Sequence, residues 1–402
     1  MLDPQSASLP SSSLTSNVSA SSKSYRPDVQ GLRAVAVALV ILYHARFWVF
    51  GGGFVGVDVF FVISGFVITG HLLRHSQSSI RTTLADFYAR RIRRIVPAAT
   101  VVLVLTLILG YNLLGSNFDP ALVGDAKWAS LFSANFRFIH TSSGYFIAGI
   151  PPSLVQHFWS LAVEEQFYFV WPLVLLAATR LAPAAYRRHA VGLVLIVIIV
   201  ASAWWSWHDT LANATEAYYS PFTRAWEIAL GALVAVSPRV GDRLSPLAIQ
   251  RIAMGSLFAL LISATLQRSP LSFPGFAAWL PCGAAAVLLW SGTSSQPSLT
   301  ARWLSHPAMT AIGDRSYSLY LYHFAWLEIP LQMVHPASGF FVTTLEIAGT
   351  AVCAELSFRY LENPIRRSRR LDRDRVSVLL LLLVCVAAVF DAAWCVGHLA
   401  GV

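Results

Sequence analysis

Apolar residues run along this chain in long blocks rather than in the alternating patterns of soluble helices and strands. A hydrocarbon core of about 30 Å requires about 20 apolar residues per membrane-spanning helix. Blocks of that length predict eleven spans, at 32–50, 54–73, 95–114, 158–179, 190–208, 218–236, 247–266, 275–292, 315–334, 338–359 and 376–396. The pattern therefore predicts an all-α, polytopic membrane helix bundle.

The composition excludes soluble classes of protein. Hydrophobic residues make up 56% of the 402 residues and charged residues 12%, against about 45–50% and about 25% in an ordinary globular chain. So few charges could not cover the surface of a soluble domain. The cysteines lie inside apolar blocks without CxxC or Cys/His spacing, which predicts neither a disulfide-stapled domain nor a metal site; they are Cys282, Cys353, Cys385 and Cys395.

The net charge of +9 would fit nucleic-acid binding until the basic residues are located. With the N-terminus in the cytoplasm, the eleven spans leave 24 of the 29 Lys and Arg residues on the cytoplasmic side. Basic residues accumulate in the cytoplasmic loops of membrane proteins. The charge thus predicts an N-terminus inside and a C-terminus outside, with membrane lipids rather than nucleic acid as partners.

Three segments outside the spans have patterns of their own. Residues 1–24 are Ser-rich and predict a disordered tail without the features of a cleavable signal peptide. Residues 115–157 form the long external loop. The segment 84–95 alternates an apolar stripe with arginines, which predicts a basic amphipathic helix lying at the inner surface.

Ionisable residues inside spans are costly and are functional candidates by default. Arg33 lies at the inner end of the first span, and His44 follows eleven residues later. Eleven residues are about three turns, so both share nearly one face about 16 Å apart. A coenzyme A thioester fits this spacing, with its phosphates inside and its pantetheine arm carrying the acyl group upward. A snorkelling arginine and a buried core histidine remain the alternative.

Asp58 lies a few residues from the outer end of the second span, at a depth that matches His44. A carboxylate beside an imidazole fixes its tautomer and raises its basicity, as a general base requires. We therefore expect Asp58 to orient His44. The glycines around Asp58 are explained by close packing of neighbouring helices.

Later spans carry further ionisable residues. Glu164 and Glu165 are adjacent and cannot share a helix face, so we expect one at a polar cavity and one at a partner helix. His323 lies near mid-membrane among Tyr and Ser residues that predict a polar lining. Two pairs have ion-pair spacing and are predicted to be structural: Arg224 with Glu227, and Glu355 with Arg359.

Six motifs in this order resemble the membrane-bound acyltransferase-3 family over roughly residues 25–370. They are YRPDVQGLR at 25–33 with His44, GVDVFFVISGF at 56–66, FYARRIRRIVP at 87–97, HFWSL at 157–161, YSLYLYH at 317–323 and YLENP at 360–364. Each motif is weak alone, but six in sequence are highly specific.

The resemblance implies a ten-helix unit, here followed by an eleventh span at 371–402, that uses cytoplasmic acyl-CoA to O-acylate a carbohydrate. It places the family's Arg-x10-His motif at Arg33 and His44, and its terminal Glu-x-Pro at Glu362. Its cytoplasmic arginine motif falls on Arg90, Arg91, Arg93 and Arg94. The eleventh span resembles family members that continue into an external SGNH esterase-like domain. The chain is then either a stand-alone enzyme or the membrane part of a longer one.

We therefore expect an O-acyltransferase of the bacterial inner membrane, most simply an O-acetyltransferase. Acyl-CoA is its donor, and no permanently bound cofactor is expected. The predicted catalytic residues are His44 and Asp58, the donor-binding residues are Arg33 and the arginine motif, and Glu164, Glu165, His323 and Glu362 are candidates for the acceptor pocket. Direct transfer and an acyl-His44 intermediate both stay open, as do the acceptor's identity and the acyl chain length. The rival hypothesis is a transporter or flippase, whose paired interrupted spans are not found.

Overall fold

The computed structural model describes residues 25–74, 79–141, 151–237, 244–267, 273–333 and 339–402. Helices make up nearly all of these residues, and none of them forms a β-strand. The predicted tail at 1–24 and the part of the external loop at 142–150 lie outside the described residues. The all-α prediction is confirmed.

Eighteen α-helices are described. They are α1 Pro27–His44, α2 Gly56–Arg74, α3 Ile80–Leu114, α4 Ala121–Ser130, α5 Ala134–His140, α6 Phe158–Leu181, α7 Arg187–Ala212, α8 Ala214–Tyr219, α9 Pro221–Val236, α10 Pro246–Leu266, α11 Trp279–Ser291, α12 Leu299–Leu304, α13 Pro307–Asp314, α14 Ser316–Met333, α15 Phe340–Ser357, α16 Asn363–Arg366, α17 Arg369–Arg373 and α18 Arg375–Ala400. A π-helical turn, Phe358–Glu362, joins α15 to α16.

Each of the eleven predicted spans coincides with one of the long helices. Among the described residues, seven helical segments are long and apolar enough to cross a membrane: Gly53–Arg74, Ile80–Asn117, Phe158–Leu181, Ala184–Ala212, Pro246–Leu266, Phe340–Arg366 and Arg375–Ala400. The other four predicted spans are the helices α1, α9, α11 and α14, which have 13 to 18 residues. The membrane bundle is confirmed, whereas the count of eleven and the sidedness stay predictions.

The expected surface helix at 84–95 is not a separate element. It is the first part of α3, which runs unbroken for 35 residues through Pro97. Phe87, Arg93 and Ile95 are all buried, so the amphipathic stripe and the apolar span bury one continuous side of the same helix. The prediction of a helix lying at the surface was therefore wrong. Hydropathy could not show it, because two of the arginines that suggested a surface, Arg91 and Arg93, pair with carboxylates on other helices.

α1 and α14 run parallel to each other through the centre of the bundle. At one end the Nε of Arg33 donates to the Oγ of Ser316 at 3.1 Å. At the other end the rings of His44 and His323 lie 5.0 Å apart between centroids. Two parallel helices agree with the prediction that the first and ninth spans cross in the same direction.

Glycine lets α2 and α9 pack with their backbones in contact. A Cβ added at Gly65 would lie 1.8 Å from the carbonyl oxygen of Ile228, and one at Gly231 would lie 1.8 Å from that of Val62. Neither position could hold a larger residue without separating the helices. This packing brings Asp58 of α2 against the polar side chains of α9.

Candidate active site

Two connected cavities open where α1, α2, α3, α6 and α14 meet. The arginine cavity holds about 410 Å³ and is lined by Arg74, Arg90, Arg91, Arg93, Arg94 and Arg366, with His71 and Asp372. The central cavity holds about 90 Å³, and its polar lining comprises Arg33, Ser64, Arg91, Arg94, Ser160, Glu164, Tyr168, Ser316, Tyr317 and Tyr320. Arg91 and Arg94 line both cavities, so the basic space continues into the core.

Two of the predicted donor-binding arginines face the central cavity without an acidic partner. The ion pairs formed by the described residues include neither Arg33 nor Arg94. Arg33 is held by its hydrogen bond to Ser316. Two guanidinium groups therefore point positive charge at an open space, which favours an anionic ligand because planar guanidinium matches phosphate in a bidentate way.

The other three predicted arginines have partners that fix their positions. Arg91 donates to Glu165 at 2.7 Å and lies 3.8 Å above the ring of Tyr168. Arg93 is 4% exposed and pairs with Asp372 at 2.8 Å. Arg90 is exposed and lies 2.8 Å from the Nε2 of His71. The whole motif lines the arginine cavity, but its members differ in how much charge remains available to a ligand.

The two adjacent carboxylates divide as the helix geometry requires. Glu164 lines the central cavity and accepts a hydrogen bond from Ser64 at 2.6 Å and another from Tyr168. Glu165 pairs with Arg91 of α3 at 2.7 Å, and Glu164 lies 3.7 Å from the same guanidinium. Glu164 is thus the carboxylate at the cavity, and Glu165 makes the shorter contact with the neighbouring helix.

Three histidines from three helices meet beyond the central cavity. His44 and His323 have ring centroids 5.0 Å apart, and His157 lies 5.5 Å from His323. The Nδ1 of His44 is 2.9 Å from the carbonyl oxygen of Val40, so Nδ1 carries the proton of the neutral ring and Nε2 is its basic nitrogen. The Nδ1 of His157 and the Nε2 of His323 have no hydrogen-bond partner among the described residues. Two rings of this histidine cluster (His44, His157 and His323) therefore have a buried nitrogen that could accept a proton.

Tyr320 lies between the cavity and the histidine cluster. Its hydroxyl lies 2.5 Å from the Oγ of Ser160 and donates to the carbonyl oxygen of His157 at 2.9 Å. Its ring centroid is 5.7 Å from that of His157 and 5.3 Å from that of His323. Because Tyr320 and Ser160 both line the central cavity, they form the wall between this cavity and the histidines. The acyl group of a donor would have to pass this wall to reach them.

Asp58 has a different partner from the one expected. Its Oδ1 accepts a hydrogen bond from the Nη1 of Arg224 at 2.7 Å, and the same nitrogen donates to Glu227 at 2.6 Å. Arg224 is fully buried and surrounded by the rings of Trp159, Tyr218 and Phe273. The matched depth of Asp58 and His44 misled the sequence argument, because α2 turns this carboxylate toward α9. A buried guanidinium needs anionic partners, and Asp58 is one of them.

Glu362 lies at the opposite end of the site from the histidine cluster, on the π-helical turn. It is 7% exposed and accepts a hydrogen bond from Ser318. Single π-helical turns occur often at functional sites because they re-aim side chains. The predicted structural pairs are present as well: Arg224 with Glu227, and Glu355 with Arg359. Glu355 also pairs with Arg315.

Comparison with known families decides the classification. The model of the acyltransferase-3 family, described as an acyltransferase domain, matches residues 26–354. The chain belongs to this acyltransferase family. The match spans most of the 402 residues and includes every predicted site residue except Glu362, so the resemblance read from the six motifs is confirmed.

The relatives described here are O-acetyltransferases that are longer than this chain. The chain is 33% identical over 371 residues to the peptidoglycan O-acetyltransferase OatA of Listeria monocytogenes, covering 86% of this chain and 57% of that protein. It is 31% identical over 361 residues to the O-acetyltransferase OatA of Staphylococcus aureus, covering 85% and 57%. The chain thus spans little more than half the length of these relatives. No solved structure matches it.

Several residues of this acyltransferase site were missed by sequence reasoning. His157, Ser160 and Tyr320 lie inside motifs that carried the family resemblance but were assigned no role in the site, and Tyr168 resembled an ordinary helix-packing residue. Arg224 was predicted as a structural pair with Glu227, but its contact with Asp58 joins helices far apart in sequence. A lone ionisable residue at the start of an apolar block was the signal that could have identified His157.

Proposed function

We propose that this chain is an O-acetyltransferase of the bacterial cytoplasmic membrane that moves an acetyl group from cytoplasmic acetyl-CoA to a carbohydrate hydroxyl. The relatives' names support the reaction, because both are O-acetyltransferases and one is named for peptidoglycan. A peptidoglycan-type glycan is accordingly the acceptor proposed here. An external SGNH-type domain stays a predicted partner of the membrane unit.

One observation carries the donor assignment: an arginine-lined cavity continues into a central cavity whose wall, at Tyr320, contacts the histidine cluster. Coenzyme A has a diphosphate and a 3′-phosphate, followed by a long, mostly uncharged pantetheine arm. The arginine cavity suits the phosphates, and Arg33 and Arg94 add positive charge without forming an ion pair with a described carboxylate. The central cavity suits the arm, which would bring the thioester to the wall formed by Ser160 and Tyr320.

His44 is the general base in this proposal. It removes the proton of the acceptor hydroxyl as the oxygen attacks the thioester carbonyl, the carbon–sulfur bond breaks, and the CoA thiolate leaves and takes up a proton. In the two-step alternative, His44 itself accepts the acetyl group before the acceptor does. Rapid-quench analysis of the protein with acetyl-CoA alone separates the two, because only the second leaves an acetylated histidine.

The experiment that tests the proposal uses the purified chain in lipid nanodiscs. We expect it to bind CoA, to bind dephospho-CoA more weakly because the 3′-phosphate is missing, and to hydrolyse acetyl-CoA slowly in the absence of acceptor. Pantetheine, which lacks all of the phosphates, should bind least. A chain that neither binds CoA nor hydrolyses acetyl-CoA would contradict the proposal and favour the rival transporter hypothesis.

A further inference from the structure

Glu328 is a buried carboxylate that the proposed transfer step does not use. It lies on α14 with 5% of its surface exposed, and its Oε2 has no hydrogen-bond partner among the described residues. An ionisable side chain inside a membrane protein is costly unless it is paired, and such residues mark substrate or ion pathways. A ligand that donates a hydrogen bond to this buried oxygen would therefore satisfy it.

The place of Glu328 relates it directly to the histidine cluster. Phe324, one turn earlier on α14, has its ring centroid 5.0 Å from that of His44. Four residues advance the helix by about 6 Å, a length that a single sugar ring can bridge. Because α1 and α14 run parallel from Arg33 and Ser316 toward the histidines, Glu328 lies beyond the cluster, on the side away from the arginine cavity.

Polar groups at the end of α1 surround this carboxylate. Tyr43 and Arg46 are both within electrostatic range of Glu328. Arg46 takes a φ of 60° at the helix terminus, where Phe47 donates its N–H to the carbonyl oxygen of Leu42 at 3.1 Å. Glycine is the usual residue at that left-handed position. Helix termination alone therefore does not explain why an exposed arginine occupies it.

We infer that Tyr43, Arg46 and Glu328 form the acceptor-binding end of the site, where the carboxylate of Glu328 accepts hydrogen bonds from the hydroxyl and amide groups of a carbohydrate. This inference rests on the proposed function and names the acceptor end of the same site. The adjacent Arg46 disfavours a cationic ligand. A neutral glycan that both donates and accepts hydrogen bonds fits a carboxylate beside a guanidinium and a phenol.

The test compares Glu328→Gln with Glu346→Gln in the full chain in nanodiscs. Glu346 of α15 is half-buried and lies within electrostatic range of both Arg46 and Glu328, so its variant removes a charge beside the same groups without removing the proposed contact. The acceptors are chitotetraose and a soluble muropeptide. Steady-state kinetics with each acceptor are measured at saturating acetyl-CoA, and CoA affinity serves as the internal check on folding.

We expect Glu328→Gln to raise the acceptor KM about tenfold or more, as the loss of a hydrogen bond to a charged group does, with a smaller change in kcat. Glu328→Asp should recover part of the affinity, and Glu346→Gln should match the wild type. An unchanged KM in Glu328→Gln, or an equal rise in Glu346→Gln, overturns the inference. So does a wild type that hydrolyses acetyl-CoA but is stimulated by neither glycan. Failure to use acetyl-CoA at all would instead refute the proposed function.

Discussion

The imidazole rings of His44 and His323 lie 5.0 Å apart, at the end of α1 and in the middle of α14. The two residues are far apart in sequence and were selected by separate arguments, one from helix spacing and one from a polar span. Their contact, with His157 as a third ring, brings three titratable groups together at one point of the bundle. That point is where we expect the acyl group to be transferred.

Replacing His44 by alanine should abolish transfer. Removal of a general base lowers a rate about 100-fold or more, and loss of a covalent carrier would do at least as much. CoA affinity should stay near the wild-type value, because the arginines line the two cavities whereas His44 lies beyond them. The measurement is acetyl transfer per mole of folded protein. His208→Ala, at an exposed histidine of α7, is the control; substantial activity in the His44 variant would exclude His44 from the chemistry.

Arg94→Lys should raise the KM for acetyl-CoA about tenfold with a smaller effect on the acceptor. Lysine keeps the charge and the topology but cannot bind phosphate in the bidentate geometry of guanidinium. Arg81→Lys, at an exposed position of α3 outside both cavities, is the matched control. A donor KM equal to the wild-type value in Arg94→Lys would leave this arginine only a topological role.

Arg91→Lys should combine two effects. The donor KM should rise as in Arg94→Lys, and thermal stability should fall, because the Arg91 guanidinium also lies over the Tyr168 ring and pairs with Glu165. Thermal unfolding in nanodiscs measured alongside donor kinetics separates the two effects. A variant with wild-type stability but a raised KM would show that the contacts to Tyr168 and Glu165 contribute little to the fold.

Asp58→Asn should lower the stability of the protein more than it lowers the rate of transfer. The substitution removes one of the two carboxylates that neutralise the buried Arg224, and breaking a buried pair costs about 3 kcal/mol. The expected result is a lower Tm with a nearly normal rate per folded molecule. A normal Tm with a collapsed rate would instead restore the interpretation that Asp58 serves His44.

Gly65→Ala and Gly231→Ala should each destabilise the bundle by about 1–3 kcal/mol, as overpacking does. Each added methyl group would meet a backbone carbonyl at 1.8 Å, and a backbone cannot move aside as a side chain can. Gly255→Ala on α10 is the control, since an added Cβ there meets nothing within 4 Å and alanine is the better helix former. Equal stability of all three variants would show that α2 and α9 are not held in contact.

The helices could be predicted from the sequence because helix formation depends on local composition. Every apolar block became a helix, and three polar residues of α14, Ser316, Tyr317 and Tyr320, line the central cavity. The continuity of the segment 84–95 with the third span could not be predicted, because the arginines of α3 find partners on α6 and α17. Local sequence records the charge of Arg91 and Arg93 but not the carboxylates that satisfy them.

The sequence by itself determined the class of the protein, its helices, its family and most of its candidate residues, since these follow from hydropathy, residue type and short-range spacing. Only the tertiary structure decided which ionisable groups meet. Rotation of each helix about its axis turned Asp58 toward Arg224, Glu164 toward the cavity and His157 toward His323. That rotation is set by packing between helices, above all where Gly65 and Gly231 bring backbones together. Such contacts join residues more than a hundred positions apart, and no local pattern encodes them.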